Sequence, residues 1–269
     1  MPKLTKLPKA LLFDLDGTLA NTIPQLAIAA FASAKAVGIE PPSVETTKSF
    51  VGNGVNLLLS RVIAGKFDVT TDDIEPSVLK KARETFNEVY LKGLDKDYNL
   101  YEGVEEGLKY FKEIGIKLAV VTNKPQIFAV PLLGYMGIAK YFDFILGGEV
   151  LEVRKPNPEP LYYVLDKLNV DKDSAVMVGD SDNDIIAGNN AKMSTVFFTY
   201  GYNRKAISEL NFVYKFDKYS YLWQRLLLLE YHNRIFHQSD SLCQKRLLYL
   251  FLLPQLIEYR TVLFLLSNL

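Results

Sequence analysis

Three acidic residues, Asp180, Asp182 and Asp184, crowd together after an apolar run that ends at Val178. Carboxylates placed this close repel one another unless a cation lies among them. Oxygen ligands of this kind suit Mg²⁺, which keeps several waters and uses one or two carboxylates. The alternative is the start of a helix, where aspartates are favoured by the helix dipole. The stretch therefore indicates either a magnesium site or an acidic helix N-terminus.

Two further carboxylates, Asp14 and Asp16, follow another apolar run and stand beside Gly17, which permits a sharp turn. Taken alone, such a stretch most often forms a polar turn. An EF-hand calcium loop is excluded, because its glycine and its final glutamate require a different spacing. A chemical role for these carboxylates therefore depends on what the rest of the chain brings beside them.

Groups that can bind an anion occur in two more stretches. Thr122 and Asn123 follow a strongly apolar run and could hold a small anion by hydrogen bonds, or could cap the next helix. Lys155 lies in a loop stiffened by prolines and offers a point charge, although a loop lysine is usually just solvated. Each stretch has an ordinary structural explanation, and only their combination points to one site.

The elements that must position these residues are strands and helices in alternation. Continuous apolar runs predict buried strands at 10–13, 116–121, 175–178 and 195–198. Amphipathic stretches between them, such as 104–113 and 160–168, predict helices. This alternation is typical of the α/β class, with a Rossmann-like parallel sheet and helices on both faces. Ligands of such sheets bind beyond the carboxyl ends of the strands, where all four polar stretches are predicted to lie.

The connection between the first two predicted strands is far longer than a simple crossover needs. The excess, 22–94, has helical periodicity and predicts an inserted helical cap domain. The α/β core domain then comprises 1–21 and 95–220. We expect the cap to lie over the end of the first strand, where it could cover a ligand.

The last part of the chain, 221–269, differs in composition from the rest. It contains no glycine or alanine and is rich in leucine, which predicts a C-terminal extension that is helical or poorly folded. The stretch 247–266 approaches the length of a membrane span, but Pro254, Glu258 and Arg260 interrupt it. We therefore expect no stable membrane insertion.

The overall composition limits the classes of function. The chain has 31 Lys+Arg and 31 Asp+Glu among 269 residues, so it offers no broad positive field for nucleic acid. The hydrophobic fraction of 49% is that of a globular protein. A single cysteine, Cys243, excludes an intrachain disulfide, and the N-terminal residues lack the pattern of a signal peptide. These observations favour a cytoplasmic protein without a nucleic-acid partner.

Together, the four polar stretches resemble the four motifs of the haloacid dehalogenase-like superfamily, in the same order. The resemblance covers roughly 11–203, and its motifs match at Asp14-Leu15-Asp16-Gly17-Thr18, at Thr122, at Lys155, and at Gly179-Asp180 with Asp184. This four-part signature is specific to the superfamily, whereas no single part of it would be.

Further segments are similar to the phosphoglycolate phosphatase branch of that superfamily. They are Phe50-Val51-Gly52-Asn53-Gly54 in the predicted cap and the runs 122–125, 155–158 and 199–203. Departures from the usual residues of the branch occur at Phe50, Glu102 and Lys192. None of the departures falls in the four motifs, so the chemistry that the resemblance implies is not affected.

The resemblance implies a Mg²⁺-dependent phosphatase that acts on a small phosphorylated metabolite, most directly 2-phosphoglycolate, through an aspartyl-phosphate intermediate. Asp14 would be the nucleophile, and Asp16 would protonate the leaving group and then activate water. Thr122 and Asn123 would donate hydrogen bonds to the phosphoryl oxygens, and Lys155 would neutralise developing charge.

The metal and substrate sites are implied in the same way. Mg²⁺ would bind the side chains of Asp14 and Asp180 and the backbone carbonyl of Asp16, as in the family. Asp184 would orient Lys155 or a water on the metal. For substrate binding we assign Thr18 and the glycine loop Gly52-Asn53-Gly54, although the loop could equally be a simple turn between cap helices.

Other functions stay open at this point. Another phosphatase of the superfamily or a sugar phosphomutase resembling β-phosphoglucomutase would keep both Asp14 and Asp16. A catalytically silent binding protein with the same fold is disfavoured, because Asp14, Asp16, Lys155 and Asp180 are all intact. The sequence is compatible with a monomer or a small homo-oligomer.

Overall fold

The computed structural model describes residues 6–203 and 206–238. The strands are β1 (Ala10–Phe13), β2 (Ala20–Asn21), β3 (Asn99–Leu100), β4 (Lys117–Pro125), β5 (Phe144–Gly148), β6 (Ala175–Gly179), β7 (Ser194–Phe198) and β8 (Tyr214–Phe216). The helices are α1 (Ile23–Ala36), α2 (Val44–Phe50), α3 (Val55–Ala64), α4 (Pro76–Lys92), α5 (Val104–Glu113), α6 (Gln126–Tyr135), α7 (Glu159–Leu168), α8 (Asp182–Asn190) and α9 (Ser220–Gln238).

The chain divides into two compact units, Met1–Gln224 and Arg225–Leu269. The first contains all eight strands and the helices from α1 to α8, together with the first turn of α9. The second unit is described only where α9 continues to Gln238. Every site discussed below therefore lies within the first unit.

Six strands form one sheet in the order β5-β4-β1-β6-β7-β8, and every pair within it is parallel. The central strand β1 pairs with β4 on one side and with β6 on the other, so that Leu12 lies opposite both Ala119 and Met177. Because parallel strands end at the same edge, residues that follow β1 and β6 and residues late in β4 become neighbours.

Helices cover both faces of this sheet. Leu12 belongs to a buried cluster with Leu161 and Leu165 of α7. The next residue, Phe13, points to the opposite face and stacks on Phe111 of α5 with ring centroids 6.3 Å apart. The predicted α/β class with a Rossmann-like parallel sheet is therefore confirmed.

The boundaries of α5 follow directly from its sequence. Val104, Leu108 and Phe111 recur at helical spacing and are fully buried on the sheet. Acidic residues occupy the first turn and Lys112 the last, in agreement with the helix dipole. The helix spans Val104–Glu113, as the sequence predicts.

Four helices, α1 to α4, are inserted between β2 and β3. Helix α1 packs against α4, where the hydroxyl of Tyr90 donates to the side-chain carbonyl of Gln25 at 3.1 Å. The two ends of the insert meet in a short antiparallel ribbon that pairs Ala20 with Leu100. The insert thus joins the sheet through two adjacent strands. That it forms a separate cap domain with bounds 22–94 stays a prediction.

Several elements differ from the sequence prediction. Strand β4 continues to Pro125 instead of ending near Val121, with a shift of register between these two residues. Helix α6 was missed because Pro131 lies inside it, and β5 because it ends in two glycines. Helix α2 has only 7 residues, which is too short for periodicity to reveal.

The predicted C-terminal extension, 221–269, is described only in part. Helix α9 begins at Ser220 and is described as far as Gln238. The stretch 247–266 lies outside the described residues. Among the helices that are described, none combines the length and the apolar character that crossing a membrane requires.

Candidate active site

Three carboxylates meet at the carboxyl edge of the sheet. Asp14 follows β1 and its backbone N–H donates to the carbonyl of Val178 at 3.0 Å, which fixes it beside β6. Asp180 follows β6, and Asp184 lies in the first turn of α8. Carboxylate oxygens of Asp14, Asp180 and Asp184 all lie within 4.8 Å of one another. The strand ends therefore bring together acids that are far apart in the sequence.

A buried lysine lies among these carboxylates. The ammonium of Lys155 is 3.0 Å from Asp14 Oδ1 and 2.6 Å from Asp184 Oδ1, and it donates to the carbonyl of Val121 at 2.5 Å. Burial lowers the pKa of Lys155, but the charges of Asp14 and Asp184 outweigh burial and raise it. The residue is therefore a fixed positive charge beside the Asp14 carboxylate.

Asp180 is held by two hydrogen bonds from opposite sides. The hydroxyl of Thr18 donates to Oδ1 and the backbone N–H of Tyr202 donates to Oδ2, both at 2.6 Å. Gly17, at φ +90°, and Gly201 both face this carboxylate so closely that a Cβ on either would overlap it. Thr18 is fully buried and holds Asp180 by this bond, and its role in substrate binding stays a prediction.

The acids carry more negative charge than Lys155 balances. Burial raises the pKa of Asp14 to about 6, against the lowering effect of Lys155, and the charges of Asp184 and Asp16 add to the rise. Burial also raises the pKa of Asp180, and Asp184 and Asp14 raise it further. A divalent cation among these oxygens would relieve the crowding, and oxygen-only ligands suit Mg²⁺. The residues therefore fit the metal that the sequence implies.

The partners of Asp16 were not foreseen from the sequence. Its carboxylate accepts a hydrogen bond from the hydroxyl of Thr22 at 2.6 Å. It also accepts from the ammonium of Lys124, which lies 2.9 Å from Oδ1 and 3.1 Å from Oδ2. Lys124 lies over the ring of Tyr90, 4.7 Å from its centroid. Burial lowers the pKa of Lys124, but Asp16 and Tyr90 raise it above its ordinary value.

The side-chain amide of Asn123 is hydrogen-bonded to backbone groups of two loops. Its amide nitrogen donates to the carbonyls of Lys155 and Gly52, each at 2.9 Å, and its amide oxygen accepts from the backbone N–H of Lys155 at 3.0 Å. These three bonds engage both ends of the amide. The side chain thus clamps the Lys155 loop, and its donation to a phosphoryl oxygen stays a prediction. Thr122 lines the cavity beside it.

The glycine loop of the insert touches the edge of the sheet. The carbonyl of Gly52 accepts from Asn123 and also from the side chain of Asn183 at 3.0 Å. Arg154 donates to the backbone carbonyl of Asn53 at 2.7 Å. Gly52 and Gly54 line the cavity, whereas Asn53 is not among the lining residues. The loop thus contacts the edge of the sheet through the backbone carbonyls of Gly52 and Asn53 and through the Asn53 side chain, which donates to Asn183.

The cavity under this loop has two unlike sides. The polar side carries Asp14, Asp16, Lys124 and Lys155 with the other acids. The opposite side is apolar and comes mainly from the inserted helices and from α6, with Leu26, Val51, Val55, Leu58, Phe86 and Phe128. Such a cavity suits a ligand with a charged reacting end.

One of the residues missed from the sequence could be sought by pattern. Lys124 directly follows Thr122 and Asn123, and it becomes a candidate once β4 is known to continue to Pro125. Thr22 lies six residues beyond Asp16, but nothing in the residue types marks it as a partner. Tyr202 reaches Asp180 through its backbone N–H, which sequence pattern does not reveal.

Comparison with known proteins agrees with the sequence resemblance. Residues 11–198 match the family described as haloacid dehalogenase-like hydrolase. The phosphoglycolate phosphatase of Psychrobacter arcticus is 40% identical over 218 residues, which cover 81% of this chain and 95% of that protein. The phosphoglycolate phosphatase of Colwellia psychrerythraea is 39% identical over 195 residues, which cover 72% and 86%.

A solved structure has the same fold over the same region. The crystal structure described as that of a predicted phosphoglycolate phosphatase from Haemophilus somnus superposes with a TM-score of 0.74 at 33% identity. The match covers 81% of this chain and 97% of that one. The chain therefore belongs to the haloacid dehalogenase-like hydrolase family and, within it, to the phosphoglycolate phosphatases, which are phosphoric monoester hydrolases.

Proposed function

We propose that this protein hydrolyses 2-phosphoglycolate to glycolate and phosphate, with Mg²⁺ and through a phosphoryl group carried on Asp14. The observation that carries the proposal is the position of Asp14. Its carboxylate lines the cavity, 3.0 Å from the Lys155 ammonium and within 4.8 Å of the Asp180 carboxylate. A nucleophile, a fixed cation and an oxygen cluster for a metal thus lie around one point.

In the first step, an oxygen of Asp14 forms a bond to phosphorus while the bond from phosphorus to the ester oxygen breaks. Asp16 gives its proton to the departing oxygen, so that glycolate leaves as an alcohol. Lys155 keeps Asp14 ionised and partly neutralises the charge that builds on the phosphoryl oxygens. Thr122 supplies a hydroxyl donor from β4.

In the second step, water attacks phosphorus and the bond to Asp14 breaks, which regenerates the carboxylate and releases phosphate. Asp16, now ionised, takes the proton of the attacking water. The same side chain serves in both steps because proton transfer runs in opposite directions. The contact with Thr22 holds one Asp16 oxygen in place at 2.6 Å.

We assign Mg²⁺ to the side chains of Asp14 and Asp180 and to the backbone carbonyl of Asp16. When bound, the ion would offset the repulsion between Asp14 and the phosphate and stabilise the transition state. Asp184 donates no ligand in this assignment. Its oxygens already accept from Lys155 and, through Oδ2, from the backbone N–H and hydroxyl of Ser181 at 3.0 and 2.7 Å. It therefore orients Lys155.

The inserted helices, 22–94, would act as a cap that excludes water from these steps. Support comes from the contacts of Gly52 and Asn53 with the sheet domain and from a bidentate pair between Arg83 of α4 and Glu149, at 2.8 and 2.9 Å. All of these contacts join the insert to loops at the carboxyl edge. A cytoplasmic location and a monomeric or small oligomeric state stay predictions.

The direct test is phosphate release from three candidate substrates in the presence of Mg²⁺. We expect kcat/KM for 2-phosphoglycolate to exceed that for β-glucose 1-phosphate and for pyrophosphate by at least about tenfold, a difference that a few well-placed contacts can supply. Higher kcat/KM for β-glucose 1-phosphate, or its conversion to glucose 6-phosphate, would instead support a sugar phosphomutase and contradict the proposal.

A further inference from the structure

We propose that Lys124 recognises the second anionic group of the substrate, a carboxylate one carbon away from the ester oxygen, and leaves Asp16 in order to do so. This inference rests on the proposed function and names the residue behind its substrate preference. The two-step reaction does not require the ion pair between Lys124 and Asp16. The ammonium of Lys124 contacts both oxygens of Asp16, and its side chain is 2% exposed.

The charge balance of the cavity singles out this lysine. Among the described residues that line the cavity, four are acids and two are lysines. Lys155 is committed to Asp14 and Asp184, at 3.0 and 2.6 Å, and thus to the reacting end. Lys124 is the lining cation that contacts neither of those carboxylates in the structure. Of the two lining cations, Lys124 is therefore the one placed to pair with a carboxylate that enters the cavity.

The distances match a short substrate. The acid that protonates the leaving oxygen must lie within hydrogen-bond reach of it. Lys124 Nζ is 2.9 Å from Asp16 Oδ1, so the ammonium lies a few ångströms from wherever that leaving oxygen is placed. In a phosphate ester of a 2-hydroxy acid, the carboxylate carbon is only two bonds from the same oxygen. An ammonium on a flexible chain can therefore reach it without movement of the backbone.

The surroundings of Lys124 keep it in place for this exchange. Its ammonium lies over the ring of Tyr90, which stacks on Phe86 with centroids 5.3 Å apart. Tyr90 is fixed in turn by its hydroxyl bond to Gln25. The aromatic face stabilises the cation while its oxygen partner changes from Asp16 to the substrate. The insert thus contributes part of the binding site for the second anion.

The test compares two esters that differ only in the second anion, 2-phosphoglycolate and ethyl phosphate. In the wild-type protein we expect kcat/KM for 2-phosphoglycolate to be at least about 100-fold higher, because ethyl phosphate has no carboxylate for Lys124 to bind. In Lys124→Met we expect this ratio to fall to within about tenfold of unity. Lys140→Met, which removes a lysine with a 63% exposed side chain, is the control and should keep the wild-type ratio.

Binding gives a second measurement that does not depend on turnover. In Asp14→Asn, titration calorimetry should find tighter binding of 2-phosphoglycolate than of ethyl phosphate, and adding Lys124→Met should remove most of the difference. Lys124→Arg, which keeps the charge, should preserve a preference for 2-phosphoglycolate. These results would support the proposal.

A parallel fall for both esters in Lys124→Met, with the ratio and the binding difference unchanged, would overturn it and leave Lys124 as a positioning residue for Asp16. A wild-type ratio below about tenfold would overturn it as well. If the wild-type protein releases phosphate from neither ester while Asp14→Asn behaves identically, the proposed function itself fails, which is a separate outcome.

Discussion

Replacing Asp14 with asparagine is expected to lower kcat for phosphate release by at least about 10⁴-fold, as losses of a covalent nucleophile do. The amide has nearly the same shape as the carboxylate, but its oxygen is a poor nucleophile and cannot form the acyl phosphate. Lys155 keeps Asp184 as a partner at 2.6 Å, so the buried ammonium stays paired in the variant. Phosphate release under saturating substrate and Mg²⁺ measures the loss.

The fold of Asp14→Asn should be intact, because the change removes a carboxylate whose burial raises its pKa to about 6. Thermal unfolding and circular dichroism check this expectation. Asp173→Asn is a matched control, since Asp173 is a 78% exposed aspartate paired with Lys172. Its kcat should stay within about twofold of wild type, as for most surface substitutions. Retention of more than about a hundredth of wild-type turnover in Asp14→Asn would contradict a covalent role.

Removal of divalent metal is expected to lower turnover by at least about 10³-fold, with recovery on addition of Mg²⁺.

Removal of the metal should also make the free energy of unfolding depend on pH. The pKa of Asp14 is raised from 3.8 to about 6 in the folded protein, so the metal-free folded state binds a proton more tightly than the unfolded state does. Stability then falls as pH rises through about 6. Asp180, whose pKa is also raised, acts in the same direction.

Between pH 5.5 and 7.5 the loss from Asp14 is about 1 kcal/mol, which for a domain of this size lowers Tm by about 2 to 4 °C. Differential scanning calorimetry of protein treated with EDTA measures it. Asp14→Asn should show a smaller pH dependence, and saturating Mg²⁺ should remove the dependence by favouring the ionised carboxylates. Turnover that survives EDTA, or a Tm that rises from pH 5.5 to 7.5 equally in both proteins, would contradict this account.

The fold followed from the sequence wherever a single local pattern decided it. The continuous apolar run Ala10–Phe13 gave β1, and helical spacing of buried residues gave α5 with its observed bounds. Strand β4 was misjudged because Asn123, Lys124 and Pro125 are poor strand formers. They are extended because β4 pairs with β5, where Pro125 lies opposite Gly148. Tertiary pairing overrode local preference there.

The site could be predicted from the sequence only through one rule, that ligands of parallel sheets bind beyond the carboxyl ends of the strands. That rule predicts that Asp14, Lys155 and Asp180 converge, and the structure brings them together. It says nothing about side-chain direction or competition for hydrogen bonds. The amide of Asn123 is engaged by backbone groups of Lys155 and Gly52, and this depends on how two loops and the insert meet. The pairing of Lys124 with Asp16 has the same origin.

The central claim is that Asp14 carries the phosphoryl group during turnover. Rapid acid quench of the wild-type protein with 2-phosphoglycolate and Mg²⁺, followed by borohydride reduction, converts an aspartyl phosphate to homoserine that peptide mass spectrometry can locate. We predict homoserine at position 14 in the wild-type protein and none in Asp14→Asn. Homoserine at position 16, or none at either position while phosphate is being released, would contradict the account.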